Sequence, residues 1–162
     1  MQFEITEFTD EYADDVKDLL VTLQTHIAEL DKRGVIVLKE NFREEYFKFV
    51  TEEVKKQDGK IFIAVKQGRA VGVVICKIFQ GGSEEEITTT CPKVGFISDV
   101  AVIKGERRQG IGKALLAKAE RFFKDGGCEY SQLEVFAPNT QAYELYKNLG
   151  FEPLCIYMSK KC

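Results

Sequence analysis

The segment from Lys93 to Phe136 most constrains how this chain can fold. Lys93–Ile103 is a strongly apolar run of strand character. Gly110–Lys124 places Ile111, Leu115, Leu116, Ala119, Phe122 and Phe123 on one helical face, and Asp125-Gly126-Gly127 stops that helix. Glu129–Phe136 reads as a second strand. A strand, a helix and a strand in succession imply a parallel pair joined by a right-handed crossover. Earlier, Ile61–Val65 and Ala70–Phe79 flank Lys66-Gln67-Gly68-Arg69, a hairpin loop in which Gly68 can take positive φ. That hairpin demands an antiparallel neighbour, so the expected fold is α/β, with a mixed, mostly antiparallel sheet and helices on its faces.

The remaining elements fit around that sheet. Gln2–Phe8 alternates like a half-buried strand, and Thr9 or Asp10 offers a helix cap. Val16, Leu19, Leu20, Leu23, Ile27 and Leu30 then form one stripe on a long helix. Asn41–Lys56 predicts a second helix with Phe42, Tyr46, Phe49, Val50 and Val54 inward. Gln80–Cys91 reads as a loop. Asn139–Leu149 is a short helix capped by Asn139 and ended by Gly150, and Phe151–Lys160 is expected to be the last strand.

Length bounds this to one domain over residues 1–162, large enough to bury a core without disulfides or metal. The net charge of −3 argues against nucleic acid as the main partner. Five scattered cysteines with no C-x-x-C pair read as free thiols in a reducing compartment. The single histidine, His26, cannot build a zinc site with them, so no metal is expected. Met1–Thr9 carries acids and no apolar run, and no stretch approaches the ~18 apolar residues of a span. A cytoplasmic location and no membrane partner are the expectation.

The turn between strand and helix, Val102 to Lys113, carries chemistry. Gly110 and Gly112 remove side chains where oxygens could approach the backbone, and a helix N-terminus presents unpaired N–H groups. Arg107, Arg108 and Lys113 add positive charge, so the turn suits a pyrophosphate. It is no dinucleotide fingerprint, because the third glycine is missing, and no P-loop, because no G-K-[ST] follows. Taken alone, the glycines could simply make a turn.

Arg107-x-x-Gly110-x-Gly112 after Asp99-Val100-Ala101-Val102 resembles the acetyl-CoA signature of the GNAT superfamily of N-acetyltransferases. Asn139-Thr140-Gln141-Ala142-Tyr143-Glu144-Leu145-Tyr146-Lys147-Asn148-Leu149-Gly150-Phe151 resembles the family's N-x-x-A-x-x-x-Y-x-x-x-G-F ending, in the right order and at a plausible spacing. The resemblance implies that the two parallel strands splay apart and that the coenzyme lies between them. Val100, Ala101 and Val102 would then bind the pantetheine arm, and Arg107, Arg108, Gln109, Gly110, Ile111, Gly112 and Lys113 the pyrophosphate. Asn139 would contact the coenzyme and Tyr146 its sulfur. The family often has Pro-Glu before the arginine. Here Lys104-Gly105 stand there, which is expected to loosen the turn.

The implied activity is acetyl transfer from acetyl-CoA to a primary amine. The amine must lose a proton, the carbonyl oxygen must be stabilised, and the departing thiolate must be protonated. Tyr146 is the candidate acid, since a phenol near pKa ~10 can protonate a thiolate near ~8.5. Two carboxylates compete as base, beside a water-mediated route. Glu134 lies in a Leu-Glu-Val strand resembling that of ribosomal-protein N-terminal acetyltransferases, where such a glutamate is the base. Asp99 is a lone acid in an apolar strand, costly unless paired or functional. A backbone N–H near Val100 would meet the oxyanion. His26 reads as a helix-flank residue, and no Cys–His pair points to an acyl-cysteine.

By the same resemblance, Leu23–Arg33 and Gly81–Pro92 would wall the acceptor site, while the Glu84-Glu85-Glu86 run itself reads as a solvated loop tip or as an attraction for a cationic acceptor. A polyamine, an aminoglycoside, an amino acid and a protein N-terminus all remain open as acceptors. The competing readings are a non-catalytic acetyl-CoA sensor, or a turn that binds some other phosphate ligand. Leu154–Met158 is apolar enough to pair at a sheet edge in a homodimer.

Overall fold

The computed structural model describes residues 3–80 and 92–161. Strand β1 (Glu4–Glu7) leads through a 3-10 turn into helix α1 (Ala13–Leu30) and helix α2 (Phe42–Lys56). Strands β2 (Lys60–Lys66), β3 (Arg69–Phe79) and β4 (Val94–Val102) follow, then helix α3 (Ile111–Asp125), strand β5 (Tyr130–Leu133) and helix α4 (Thr140–Asn148). The strands form one sheet in the order β1-β2-β3-β4-β5. Every pair is antiparallel except β4–β5, which is parallel. The α/β fold class, the mixed sheet and its parallel pair are as the sequence predicts.

The alternation of apolar residues along β2 and β3 sends one set of side chains to each side of the sheet. On one side Ile61, Ile63, Val73, Ile75 and Ala101 pack against Val16, Leu19 and Leu20 of α1 and Val50 and Val54 of α2. On the other, Phe62, Val74, Cys76 and Ile97 pack against Ile111, Leu115, Leu116, Ala119 and Phe123 of α3. Gly95 is obligatory here, because a Cβ at this position would lie 2.1 Å from the Phe123 ring. The β2–β3 hairpin turns through Gln67 and Gly68, both at positive φ, as a tight hairpin whose twist matches its strands requires.

Two local features position the site. The β3–β4 register shifts between Ile75, opposite Asp99, and Cys76, opposite Ile97, so Ser98 is an extra residue bulged out of the ladder. Next to it, β4 and β5 pair only over Val94–Ile97 and Tyr130–Leu133. Beyond that point the two strands part.

Three expectations need correction. Glu134 is not inside a strand, because β5 ends at Leu133 where its partner bulges away. Phe151–Lys160 forms no strand. It is a segment without regular secondary structure whose Leu154, Ile156, Tyr157 and Met158 are at least 80% exposed, touched by Arg33 Nη1 donating to Ser159 Oγ at 3.3 Å. Thr9 gives α1 no side-chain cap, since a 3-10 turn over Asp10–Tyr12 intervenes. The loop read at Gln80–Cys91, with its three glutamates, lies almost wholly outside the described residues.

The connection from α1 to α2 is fixed by a buried carboxylate. Asp31 Oδ2 accepts from the N–H groups of Val35 and Ile36 at 2.9 and 3.0 Å, and Oδ1 accepts from Arg33 Nε at 2.8 Å. The Arg33 guanidinium and these backbone donors hold the Asp31 carboxyl down to about 2.

Candidate active site

At the divergence of β4 and β5 lies a small cleft of about 70 Å³. Ser98, Asp99 and Val100 enter it from β4, and Leu133, Glu134 and Phe136 from the end of β5. Asn139, Ala142 and Tyr146 come from α4, and Leu23 and Ile27 from α1. Four residues singled out in the sequence, Asp99, Glu134, Asn139 and Tyr146, therefore meet in one place.

Their environments differ. Glu134 is exposed at the rim. Asp99 is 4% exposed. Burial pushes its carboxyl above the ordinary carboxylate range, opposed by the neighbouring Ser98 hydroxyl, a hydrogen bond from Tyr46 and the charge of Lys77. Tyr46 on α2 donates to Asp99 Oδ1 at 2.9 Å, while Asp99 Oδ2 and the neighbouring Ser98 Oγ are buried without a partner among the described residues. Burial, then the Asp99 charge, raises the Tyr146 phenol above its usual value. Tyr146 thus stays a neutral hydrogen-bond donor across the ordinary pH range. Its ring packs edge-on against Phe151, with centroids 6.0 Å apart. Asn139 caps α4, its Oδ1 accepting from Ala142 N at 3.3 Å.

The glycine turn sits at the other end of the parting strands. Gly110 has φ 84 and is the N-cap of α3, with no side-chain hydrogen bond closing the helix end. Gly112 follows in the first turn, where a Cβ would find only Val102 Cγ2 at 3.9 Å. The fold itself has room for a methyl group there, so packing does not explain the glycine. The first N–H groups of α3 have no intrahelical partners and face outward with the positive end of the helix dipole. Arg108, at φ 65, and Lys113 are exposed beside them. These features fit a pyrophosphate.

Some predicted coenzyme residues are placed differently from one another. Val100 and Val102 face the α3 side, but Ala101 turns its methyl into the α1–α2 core, leaving only its backbone, which pairs with β3. The Ile111 side chain is core, so only its N–H is available. Arg107 Nε donates back to Val102 O at 3.0 Å. The turn is not loosened by Lys104-Gly105. A 3-10 turn over Lys104–Glu106 is pinned by Lys66 Nζ to Glu106 Oε2 at 2.7 Å, and Lys66 also reaches Gln109 Oε1 at 3.5 Å. His26 does not line the cleft. Sequence reasoning took Tyr46 for core. The signal was present in a tyrosine on the inner face of α2 and a lone acid in a facing strand.

A splayed parallel pair, a bare glycine helix start and a tyrosine beside buried carboxylate chemistry define an acyltransferase-type site. Residues 18–151 match the acetyltransferase (GNAT) family, and the chain belongs to that family. It is 34% identical over 129 residues to an N-alpha-acetyltransferase of Sulfurisphaera tokodaii, covering 79% of this chain and 75% of that one. It is 33% identical over 90 residues to N-alpha-acetyltransferase MAK3 of Arabidopsis thaliana, covering 56% of this chain but only 43% of that protein. The aminoglycoside N-acetyltransferase AAC(6')-Iy, solved in complex with CoA, shares the fold with a TM-score of 0.73 and 18% identity over 99% of this chain and 95% of that one. The protein is an N-acetyltransferase, and nothing in these likenesses supports the non-catalytic sensor reading.

Proposed function

We propose that this enzyme transfers acetyl from acetyl-CoA to the α-amine of a peptide or protein N-terminus. The observation that carries the chemistry is the convergence of Tyr146, Asp99, Glu134 and Asn139 on the cleft where β4 and β5 part. The choice of a peptide amine over a polyamine or an aminoglycoside rests on the N-alpha-acetyltransferases it is similar to.

In this reading acetyl-CoA lies in the gap between the strands. The backbone of Val100 to Val102 supports the pantetheine arm. The N–H groups of Gln109 to Lys113, with Arg108 and Lys113, hold the pyrophosphate. Asn139 lies alongside. Arg107 supports the turn from behind through Val102 O. The neutral amine attacks the thioester carbonyl, forming the C–N bond, and a backbone N–H near Val100 stabilises the oxyanion. The C–S bond then breaks and Tyr146 gives its proton to the thiolate. The amine's proton leaves to Asp99, whose buried carboxyl is a stronger base than an exposed one. Glu134 at the rim draws the cationic acceptor inward. Water exchanges the proton from Asp99 to Tyr146 between turnovers.

The free thiols Cys76, Cys128 and Cys155 suit a reducing compartment such as the cytoplasm. The exposed apolar tail gives a second copy a surface to cover, and sedimentation before and after truncation at Pro153 tests that homodimer.

The deciding experiment is acetyl-CoA turnover, read as thiol release, against short peptides with free N-termini, polyamines, aminoglycosides and amino acids. Release with free N-termini and none with N-terminally blocked peptides is the expected result. Turnover confined to polyamines or aminoglycosides would refute the proposed acceptor class while leaving the transferase intact.

A further inference from the structure

The turn that leads from β4 into α3 carries one acid among its cations. From Val102 to Lys113 the chain has Lys104, Arg107, Arg108 and Lys113, and Glu106 is the single carboxylate. A bare carboxylate beside a pyrophosphate would repel it. Glu106 is not bare. Lys66, the last residue of β2, donates from Nζ to Glu106 Oε2 at 2.7 Å, and the two side chains are only 15% and 23% exposed. An ion pair this shielded is screened less by salt than one on the open surface.

The same ammonium reaches Gln109 Oε1 at 3.5 Å. It therefore grips the residue before and the residue after Arg107-Arg108. Arg108 stands at φ 65, a left-handed conformation that a residue with a side chain keeps only when its surroundings hold it there. Backbone ties complete the hold. Ile103 N donates to Val71 O at 3.0 Å and Glu106 N to Ile103 O at 2.9 Å, so the turn starts from a fixed point on β3. Gly110, at φ 84, ends it at the first N–H groups of α3. Lys66 is itself fixed by the tight hairpin, paired with Arg69 across Gln67 and Gly68. The end of the β2–β3 hairpin thus braces a turn 40 positions further along the chain.

We propose that Lys66 is a positioning residue for the coenzyme, which cancels the Glu106 charge and fixes the turn whose N–H groups hold the pyrophosphate. The inference rests on the reading of this turn as the pyrophosphate site and deepens it. Lys66 acts through Glu106 and the turn, not by touching the coenzyme. Its two partners are therefore not equivalent. Removing the ammonium frees a carboxylate that repels the phosphates. Removing the carboxylate breaks the tie but leaves a cation that attracts them.

The test is calorimetric binding of acetyl-CoA to the full chain at low and at high salt, with melting temperature as the fold control. Lys66→Met keeps the aliphatic stem and removes the charge. It is expected to raise the Kd about tenfold, the scale of one hydrogen bond between charged groups. Glu106→Gln is expected to stay within about threefold of the parent. The double variant should bind as Glu106→Gln does, because no unpaired carboxylate remains. Lys66→Arg should bind like the parent. The Lys66→Met loss, taken relative to the parent, should shrink at high salt, where screening weakens the Glu106 repulsion. A purely structural tie would leave both single variants and the double equally weak at either salt. A Lys66→Met Kd within about threefold of the parent, or a double variant that binds no better than Lys66→Met, overturns the inference. Gly112→Ala separates the two levels. Weaker binding there with a silent Lys66→Met sinks only the role of Lys66. Unaltered binding in both sinks the pyrophosphate reading of the turn and this inference with it.

Discussion

The Tyr46 hydroxyl donates to Asp99 Oδ1 at 2.9 Å, joining positions 53 apart in the chain. The contact ties α2 to the one stretch of β4 that lies beside both the cleft and the proposed coenzyme groove. A shift of α2 would therefore be felt at the carboxylate.

Tyr146→Phe keeps the ring that packs on Phe151 and removes only the proton donor. Turnover is expected to fall by about 10²-fold or more, the range of general acid catalysis, with acetyl-CoA affinity unchanged. Stopped thiol release and calorimetric binding check the two halves. Unchanged turnover would remove Tyr146 from the chemistry.

Asp99 makes the fold pH-sensitive in a defined direction. Its folded-state pKa is raised by burial above the unfolded value. Its proton is therefore bound more tightly in the native state. The stability this contributes is full below the unfolded pKa near ~3.9 and is lost as pH rises through the folded value. Asp99→Asn, which can still accept from Tyr46, is expected to melt higher than the parent at mildly alkaline pH. The difference should shrink as the pH falls toward that lower limit. The same variant should lack activity, so the carboxylate costs stability where it serves transfer. A lower melting temperature for the variant at alkaline pH would contradict this.

The two turn glycines should separate fold from ligand. Gly110 sits at φ 84, so Gly110→Ala forces a side chain into the left-handed region at about 1–2 kcal/mol. Gly112→Ala meets nothing closer than 3.9 Å and should leave stability within about 0.5 kcal/mol. If the coenzyme's phosphates approach this backbone, Gly112→Ala still weakens acetyl-CoA binding, by about tenfold or more. Thermal melting paired with calorimetry reads both. Unaltered binding in Gly112→Ala would place the pyrophosphate elsewhere.

Gly95 is a purely structural requirement. Gly95→Ala drives a methyl into the Phe123 ring and is expected to destabilise by about 1–3 kcal/mol or more. Adding Phe123→Leu should recover part of the loss, measurable as a double-mutant cycle in denaturant.

Much of this was legible in the chain itself. The apolar strand, the glycine turn and the α3 face dictate a parallel crossover because each is local and periodic, and the Asn139-to-Phe151 ending places Tyr146 by helical spacing from its cap. What escaped was set by pairing rather than by pattern. The bulge at Ser98 depends on how β3 meets β4, and the early end of β5 follows from that bulge, so Glu134 reads as strand yet lies beyond it. Tyr46 looks like core because its spacing is that of its apolar neighbours. Only the facing carboxylate distinguishes it. Leu154–Met158 has strand composition, but composition does not supply a partner.

The extra residue in β4 also sets which side chains serve which half of the protein. Before it, Gly95 and Ile97 point toward α3. After it, Asp99 and Ala101 point toward α1 and α2, while Val100 and Val102 take over the α3 side. Odd and even positions exchange roles at Ser98. Drawing Ser98 into a regular ladder, without the bulge, would swing Asp99 among the apolar side chains of α3 and present a valine to Tyr46. Deleting Ser98 would keep Asp99 opposite Ile75 but straighten the strand, whereas one further residue beside it would reverse the face of every residue that follows. In descendants of this sequence the spacing of this strand should hold even where its residues change.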